Sequence, residues 1–518
     1  MNDQHVSQSK VSPNILHFFV DQMRFDAIRA LGNPGIRTPA LDRLVSEGCT
    51  FDNAYSSCPV CIPARCGMIY GQYPHHTDCY ENNFPMPSDD RQSFMGMLTD
   101  AGYRTHGIGK CHFTPDPLAL RGFQTRETQE ELPRHPDDDD YLTYLKGNGL
   151  GYVIDPHGVR GEMYYIPQVS QIPPEHHPTK WVGDRAIAFL EEEGNNDDPW
   201  YLFTSFIHPH PPFSPPTPWH KMYGIDDVPS PNIPLQYDQL LQYVNRAQNR
   251  YKYRDQGFDY NLIRMIRAYY YSCISFIDHQ VGRVLEVLDK TGATENTLII
   301  FTADHGEYLG DYHCFGKRGM HDAAARIPMI IAQPGVFDGG KRLDSPVSLV
   351  DLAPTIAASI GNDDKDSSTH SWDGIPLQSV VDGTVERDVV FSQLAFVKHS
   401  DGTSGDEFLS LDPVSSEERA ENSTYMVVSK DYKYIYSAQD DKELFFDRSL
   451  DPKETRNRIH SARYQAVVTA MREQLMKHLV AGGESEGISN GDWVHYSPKQ
   501  LPKDPDYGLL HQDQAWSL

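Results

Sequence analysis

A cysteine and an arginine one helical turn apart carry the clearest chemical signal in this chain. They belong to the run Cys-Ile-Pro-Ala-Arg, which begins at Cys61 and ends at Arg65. Pro63 fixes φ and has no N–H, so it suits the first turn of a helix, which we expect to continue to Tyr70 and to end at Gly71. The backbone N–H groups and the dipole of such a helix favour an anion at its N-terminus. The run therefore predicts an anion-binding site built around a thiol, with the Arg65 guanidinium as a further donor.

The same cysteine also forms a Cys-x-x-Cys pair with Cys58, a pattern that occurs in redox and zinc sites. Cys66 follows shortly after, so a non-catalytic metal or redox protein organised by Cys58, Cys61 and Cys66 is one alternative. A buried, inert thiol is another. The chain has 8 cysteines in 518 residues. That is too few for a disulfide framework in so long a chain, and we expect reduced thiols.

Two acidic residues directly follow short apolar runs that are typical of buried strands. The run from Asn14 to Val20 is followed by Asp21, and the run from Thr297 to Ala303 is followed by Asp304. In open α/β sheets, ligands bind at the carboxyl ends of the strands. We therefore expect the two carboxylates to meet at one edge of a sheet.

Each of these acidic residues is followed by a second possible metal ligand, Gln22 after Asp21 and His305 after Asp304. An acidic residue at a strand end is more often a helix cap, so neither pair alone indicates a metal. Two matched pairs at one sheet edge, beside Cys61, are a stronger signal. Together they predict a site for one divalent cation.

Strand and helix patterns alternate over most of the chain. Amphipathic helices and further strands are expected at 38–47, 180–193, 200–206, 263–290 and 328–332. This alternation predicts an α/β fold, with a doubly wound, mostly parallel sheet flanked by helices.

Toward the C-terminus the sequence becomes β-rich, with short strand-like runs separated by polar turns. We predict a catalytic α/β domain at residues 1–384 and a smaller antiparallel sheet with one helix at 385–484. Residues 485–518 are expected to be an irregular tail that can wrap a neighbouring subunit.

The charge balance excludes several classes of partner. With 72 acidic and 46 basic residues the formal net charge is −26, which repels nucleic acid and anionic membranes. No apolar stretch reaches the ~20 residues that span a bilayer. The first ten residues lack the pattern of a secretory signal, so a cytoplasmic location is expected, or a periplasmic or secreted one if a signal has been removed.

Several longer runs carry a family resemblance. They include VDQMRFD, TPALDRLVSEGCTFDNAYSSCPVCIPAR, GYRTHGIGKCHF, HPHPPF, FTADHGEYLGDY and GKRGMHDAAARIPM. In order and spacing the chain resembles, over nearly its whole length, the type I sulfatases of the alkaline phosphatase superfamily, which depend on formylglycine. It looks most similar to the branch of choline sulfatases and phosphonate monoester hydrolases.

This resemblance implies a cofactor and a metal. Cys61 would be oxidised to formylglycine (3-oxoalanine) by a formylglycine-generating enzyme. One divalent cation would be held by Asp21, Gln22, Asp304, His305 and the modified Cys61. The family implies Ca²⁺, with Mn²⁺ as the alternative, because Gln22 is neutral and an imidazole suits manganese or zinc better than calcium.

The resemblance also implies roles for residues around that centre. Arg65 and the cation would stabilise the nucleophilic oxygen, and Lys110 and Lys317 would hold the ester oxygens. His210 would protonate the leaving oxygen, and His112 would act as the base that releases sulfate. The remaining residue, Asn82, matches a substrate-contacting asparagine.

These residues indicate a sulfatase that hydrolyses organic sulfate monoesters. The alternative within the superfamily is a phosphonate monoester hydrolase or phosphodiesterase. The Gly109-Lys110-Cys111-His112 run favours sulfate, because phosphonate hydrolases of this branch tend to lack the Gly-Lys-x-His pattern. The sequence leaves open whether the alcohol is choline, an aryl group or a sugar, and a homo-oligomer is plausible from the family.

Overall fold

An eight-stranded sheet forms the centre of the computed structural model, which describes residues 12–88, 90–160, 163–193, 198–249, 259–362, 371–397 and 414–501. Its strand order is β4-β3-β5-β1-β6-β7-β2-β8, and every neighbouring pair is parallel except those made by β7. The strands are β1 Asn14–Val20, β2 Cys49–Tyr55, β3 Arg104–Gly109, β4 Thr125–Thr128, β5 Trp200–Phe206, β6 Thr297–Ala303, β7 Met329–Ala332 and β8 Lys341–Ser348. The predicted mostly parallel α/β fold is confirmed.

The middle of this sheet is its most apolar part. β1 pairs in parallel with β5 on one side and β6 on the other. All residues of β5 and β6 are buried, which requires cover on both faces of the sheet. The predicted runs coincide with β1 and β6, so these two neighbouring strands end at the same edge.

Two groups of helices give that cover, with α6 and α1 packed on the long α8, and α2 packed with α4 and α10. Three of the expected helices correspond to α1, α6 and α8. The helices of this part are α1 Pro39–Glu47, α2 Cys61–Tyr70, α3 Pro74–Thr77, α4 Phe94–Asp100, α5 Asp140–Gly147, α6 Pro178–Glu193, α7 Tyr243–Asn249, α8 Tyr260–Lys290, α9 Asp322–Ala325, α10 Leu352–Ser359 and α11 Gln378–Val381.

A four-stranded antiparallel sheet follows, in the order β12-β11-β10-β9. One face packs on α13, and the other packs on the loop and short helix that follow β6. Its elements are β9 Val389–Ala395, α12 Ser416–Glu421, β10 Ser423–Ser429, β11 Tyr432–Ser437, β12 Lys442–Asp447 and α13 Gln465–Ala481. The small sheet is therefore enclosed between its own helix and the larger domain. The domain limits given above remain predictions.

The described part of the C-terminal tail is not wholly irregular. It forms a short antiparallel ladder of β13 Ile488–Ser489 and β14 Asp492–Trp493, and Trp493 stacks on Tyr436 of the same chain at 4.3 Å between ring centroids. Residues 502–518 lie outside the described residues, and the expectation that the tail wraps a neighbouring subunit stays a prediction. In the portions of the chain described above, no helix has both the length and the apolar character to cross a membrane.

A buried ion cluster joins the small sheet to the larger domain. Lys433 on β11 is fully buried and pairs with Asp322 of α9 and with Glu454, and it donates to the Met320 carbonyl at 3.1 Å. Arg448 reaches the same Asp322 carboxylate at 3.4 Å. A buried pair of this kind costs much free energy only when one partner is removed, because the other charge is then left unpaired.

We predict that Lys433→Met lowers the free energy of unfolding by about 3–5 kcal/mol, because the Asp322 and Glu454 carboxylates lose their buried cation. Thermal melting followed by circular dichroism measures the effect. Lys430→Met is the matched control, since Lys430 pairs with Asp344 at the surface with both side chains more than half exposed, and its melting temperature should not change. Equal melting of Lys433→Met and the parent chain would contradict the prediction.

Candidate active site

Four side chains from three elements meet at the carboxyl edge of the large sheet. Asp21 follows β1, Asp304 and His305 follow β6, and Cys61 begins α2. One ligand atom of each lies within 4.8 Å of the others, and all four residues are buried. The sequence placed Asp21 and Asp304 at one edge because their strands are parallel, and the structure brings Cys61 between them.

The helix that carries Cys61 agrees with its sequence. It spans Cys61 to Tyr70, and Gly71 ends it with a φ of 63°. A Cβ at Gly71 would lie 2.6 Å from the Trp372 ring, so a glycine is required there both for its backbone conformation and for space. At the other end of the helix, the Ile62 N–H donates to Asn82 Oδ1 at 3.0 Å. Asn82 thus caps the helix as well as facing the site.

Arg65 lies beneath the two carboxylates. Its Nη2 is 3.3 Å from Asp21 Oδ2 and 3.2 Å from Asp304 Oδ2, and Nη1 donates to the Lys110 carbonyl at 2.6 Å. The guanidinium also stacks over the Phe19 ring at 4.8 Å. Sequence reasoning expected Arg65 to face a bound anion. In the structure the carboxylates at the strand ends take up its donors, and it does not line the substrate cavity.

Gln22 is buried beside the Asp304 carboxylate. Its amide nitrogen donates to the Glu307 carboxylate and approaches the Tyr165 hydroxyl at 3.5 Å. Its backbone N–H donates to Asp304 Oδ1 at 2.9 Å. The Oε1 atom is buried and has no hydrogen-bond partner. A buried acceptor without a donor is costly, and a cation at this position would satisfy it.

His305 has a defined tautomer. Its Nδ1 is 2.9 Å from the Gly306 carbonyl, which can only accept, so Nδ1 carries the proton. In the neutral ring Nε2 then presents a lone pair, 3.4 Å from Cys61 Sγ and 3.8 Å from Asp21 Oδ1. Orientation of an imidazole by a backbone carbonyl is the usual arrangement for a metal-ligating histidine.

The electrostatics of the cluster also favour a cation. Burial and the neighbouring Asp21 carboxylate raise the pKa of Asp304. Two carboxylates that share a buried site repel each other, and one then resists ionisation. The donor set of two carboxylates, an amide oxygen and an imidazole nitrogen fits a divalent metal ion.

A cavity of about 490 Å³ opens over Cys61. Lys317 Nζ lies 2.7 Å from Cys61 Sγ and 3.3 Å from His210 Nε2, and Lys110 pairs with Asp21 on the other side. The predicted residues that line the cavity are Cys61, Asn82, Lys110, His112, His210 and Lys317. Both lysines are buried, so a bound ester would meet two cations with little water to screen them.

The charges around Cys61 favour its thiolate. Burial opposes ionisation of the thiol, but the Lys317 and Lys110 ammonium groups outweigh it and hold the pKa of Cys61 well below its ordinary value. At Cys58, by contrast, burial raises the pKa of the thiol well above the usual value. Of these two thiols, Cys61 is therefore the one whose surroundings stabilise a negative charge.

Two glutamates that the sequence analysis did not single out hold the cavity histidines. Glu130 Oε1 accepts the His112 and Cys111 N–H groups at 3.0 Å each, which fixes His112 in a left-handed conformation with a φ of 55°. Glu131 Oε2 lies 3.5 Å from His210 Nδ1, and the Glu131 carboxylate also pairs with Lys110. These residues follow β4, whose sequence Thr-Arg-Glu-Thr gives no apolar strand signal.

Glu307 is a third missed residue. It accepts from the N–H groups of Leu309 and Gly316 at 2.9 and 2.6 Å, and from the Tyr165 hydroxyl at 3.1 Å. It also orients Gln22. Its place two residues after His305, in the run that carries the family resemblance, was a signal that could have found it.

The alternative of a thiol-based zinc or redox site gains no support. All eight cysteines are free and buried, and the Cys58 thiol donates to the Tyr80 carbonyl at 3.4 Å. No potential metal cluster among the described residues contains Cys58 or Cys66.

Comparison with known proteins agrees with this geometry. An arylsulfatase of Clostridium perfringens is 29% identical over 511 residues, covering 93% of this chain and 97% of that protein. A choline-sulfatase of Rhizobium meliloti is 28% identical over 486 residues, covering 90% of this chain and 86% of that protein. The crystal structure of a phosphonate monoester hydrolase of Agrobacterium radiobacter superposes with a TM-score of 0.76 at 24% identity, covering 94% of this chain and 100% of that one.

The fold is the one seen in that phosphonate monoester hydrolase. The Sulfatase family model matches residues 13–361, which is most of the chain. The chain belongs to the Sulfatase family, and it is a sulfuric ester hydrolase. The resemblance stated from the sequence motifs is confirmed.

In protein whose Cys61 is still a thiol, we predict that iodoacetamide alkylates this residue. The rate of alkylation should rise at a pH well below the ordinary thiol pKa. The thiolate is the nucleophile, and Lys317 and Lys110 stabilise it. Removing one ammonium in Lys317→Met should move the inflection of the rate to higher pH. Peptide mass spectrometry of the metal-free protein measures it.

Lys430→Met, which removes a surface lysine, is the control for that experiment and should leave the inflection in place. The same inflection in Lys317→Met as in the parent chain would show that Lys317 does not stabilise the thiolate.

Proposed function

We propose that this enzyme hydrolyses organic sulfate monoesters with a formylglycine made from Cys61 and one divalent cation. The observation that carries the proposal is the convergence of Asp21, Asp304 and His305 on Cys61, at the floor of a cavity that Lys317 also lines. Maturation requires a formylglycine-generating enzyme as a partner. Once formed and hydrated, the aldehyde supplies one hydroxyl that can attack sulfur and a second through which sulfate can be released.

Asp21, Gln22, Asp304 and His305 are the residues of the chain that would hold the cation together with the modified Cys61. Such an ion supplies positive charge to a bound sulfate group. The family favours Ca²⁺, whereas the imidazole of His305 favours Mn²⁺. Arg65, which joins both carboxylates, keeps their oxygens in place and supplies a further positive charge beneath the nucleophile.

The two buried lysines bind the sulfate oxygens. Lys317 is 2.7 Å from the Cys61 side chain, and Lys110 pairs with Asp21 and Glu131. Their charges oppose the negative charge that develops on the transferring group, and this stabilisation is strong because the site excludes water. Asn82 lines the same cavity and contributes to substrate binding.

Proton transfer falls to two histidines. His210 Nε2 faces Lys317 and the nucleophile, and in the neutral ring it accepts from the Lys317 ammonium. Once protonated at Nε2, His210 can donate that proton to the leaving alcohol oxygen. His112 lines the same cavity, and its side chain interacts with Cys61. It is therefore placed to act as the base that would take a proton from the modified residue when sulfate is released.

A phosphonate monoester hydrolase is the second candidate within the same cavity. The fold likeness to the Agrobacterium enzyme does not decide between them, because that comparison shows only architecture. The presence of Lys110 and His112 in the cavity supports sulfate, given the Gly-Lys-x-His pattern. Comparing kcat/KM for an aryl sulfate and an aryl phosphonate tests the choice, and a higher value for the phosphonate would reverse it.

We predict that Cys61→Ala and Asp304→Ala each reduce aryl sulfate hydrolysis to background, because one loses the nucleophile and the other a metal ligand. Release of the phenol measures turnover. In the active parent, the peptide that contains Cys61 should be about 18 Da lighter than its thiol form, as conversion to an aldehyde requires.

Cys314→Ala is the control for these variants, because Cys314 is a buried thiol outside the cavity and its loss should spare turnover. Full activity in a preparation whose Cys61 peptide has only the thiol mass would contradict the nucleophile assignment.

We predict that Glu307→Gln weakens binding of Ca²⁺ or Mn²⁺ by about 10–100-fold, the usual effect of removing a group that orients a ligand. The substitution offers Gln22 an amide in place of a carboxylate, so the Gln22 oxygen is no longer held toward the cation. Isothermal titration calorimetry of the metal-free protein measures it. Tyr165→Phe, which removes the hydroxyl that contacts Glu307 and Gln22 but leaves the Glu307 carboxylate in place, should have a smaller effect, and an unchanged dissociation constant in Glu307→Gln would refute this role.

A further inference from the structure

A second group of metal-binding side chains lies away from the active site. His75 and His76 belong to α3, just after the helix that carries Cys61, and Asp373 lies before α11. One ligand atom of each lies within 4.8 Å of the others. His76 is more than a third exposed and the Asp373 side chain is 16% exposed, so solvent and ions can reach the cluster.

The geometry of this cluster is fixed by several contacts. His76 Nδ1 lies 2.9 Å from both Asp373 carboxylate oxygens. The rings of His75 and His76 are 4.4 Å apart between centroids, at 66° to each other. Asp373 also accepts the Tyr73 N–H at 2.7 Å, so its carboxylate is held in place before any ion binds.

A third imidazole stands beside these ligands. The ring of His478, near the end of α13, lies 4.9 Å from that of His75. It is held by a parallel stack on Phe391 at 3.7 Å. The cluster therefore offers two imidazoles and a carboxylate, with a further imidazole next to them.

A surface ion pair between one histidine and one aspartate does not account for this arrangement. Elsewhere in the chain His495 pairs with Asp441 at 2.8 Å at the surface, and no potential metal cluster of the described residues includes that pair. At Asp373, by contrast, a second imidazole converges on the same point. Two imidazoles with one carboxylate and a water are a common ligand set for zinc, whereas calcium requires oxygen ligands.

We propose that His75, His76 and Asp373 form a second metal site that binds Zn²⁺, separate from the catalytic cation. Solvent supplies the fourth ligand on the exposed side of His76. Neither His75 nor His76 lines the substrate cavity, so the site acts on structure and not on the reacting atoms.

The bound ion would tie together two segments that are far apart in the sequence, the one that holds His75 and His76 and the one that holds Asp373, and it would do so next to the C-terminal helix. The Asp373 N–H donates to the carbonyl of Gly71, the residue that ends the helix of Cys61, at 2.9 Å. Gly482, which follows α13, packs so closely on His75 that a Cβ there would lie 2.2 Å from the ring. Zinc at this point stabilises the end of the Cys61 helix against the C-terminal helix.

The first test measures how many Zn²⁺ ions bind to a variant that lacks one of the proposed ligands of the active-site cation. Asp304→Asn is freed of metal by chelation and titrated with Zn²⁺ in a calorimeter. We expect one equivalent to bind, and the affinity to fall at least about tenfold when His76→Ala is added, because an imidazole ligand is lost. His495→Ala, added to the same background, is the matched control and should leave the affinity unchanged.

A second measurement uses the chain with its active site intact. Zn²⁺ should raise the melting temperature of the parent, and this rise should be smaller in His76→Ala, because ligand binding to the folded state stabilises it. Aryl sulfate turnover should stay within about twofold in His76→Ala, because His76 does not line the substrate cavity. A twofold change in rate corresponds to only a small change in the activation free energy. These zinc measurements do not depend on the proposed catalytic mechanism, so their outcome would stand even if that mechanism were refuted.

Either of two results would overturn the site. One is the absence of zinc binding to the Asp304→Asn protein. The other is an equal loss of affinity in His76→Ala and His495→Ala, which would reveal non-specific binding to surface histidines. If Asp304→Asn fails to fold, the parent chain should bind two equivalents of Zn²⁺ and His76→Ala only one, and equal counts would overturn the site in the same way.

Discussion

The mutual repulsion of two buried carboxylates is the constraint around which this structure is organised. Parallel pairing of β1 with β6 brings Asp21 and Asp304 to one point, where burial denies them water. Arg65 contacts both and Lys110 pairs with one of them. His305 Nε2 lies within 4 Å of each carboxylate, and the buried Gln22 Oε1 has no hydrogen-bond partner. Positive charge from Arg65 and Lys110 thus lies beside a set of ligands that fits a divalent cation. We propose that the same positive charge stabilises a bound sulfate ester.

Much of this centre could be predicted from the sequence, because it depends on regular elements. The apolar runs that form β1 and β6 have clear ends. Because neighbouring parallel strands end at the same edge of a sheet, Asp21 and Asp304 were expected to lie close together. The proline at 63 and the glycine at 71 set the limits of the helix at Cys61. The roles of the lysines and histidines came from family resemblance, since loops gave no periodic signal.

The residues that escaped prediction lie where no pattern exists. Glu130 and Glu131 follow a four-residue edge strand without an apolar run, and their contacts with His112 and His210 depend on how loops cross. The contacts of Arg65 with both carboxylates were not foreseen either, because side-chain direction depends on which charges tertiary packing places nearby. The pairing of His76 with Asp373 likewise joins two short segments that only the finished fold brings together.

The burial of the Cys61 helix has a consequence for the order of events in the cell. All ten of its residues are buried, and the Cys61 and Arg65 side chains are each about 1% exposed. A second enzyme that reads these residues as a linear segment cannot reach them in this state, because the backbone is already coiled and covered. The proposed oxidation of Cys61 would therefore have to come before the chain closes, and the rates of synthesis and folding would together set the fraction of molecules that become active.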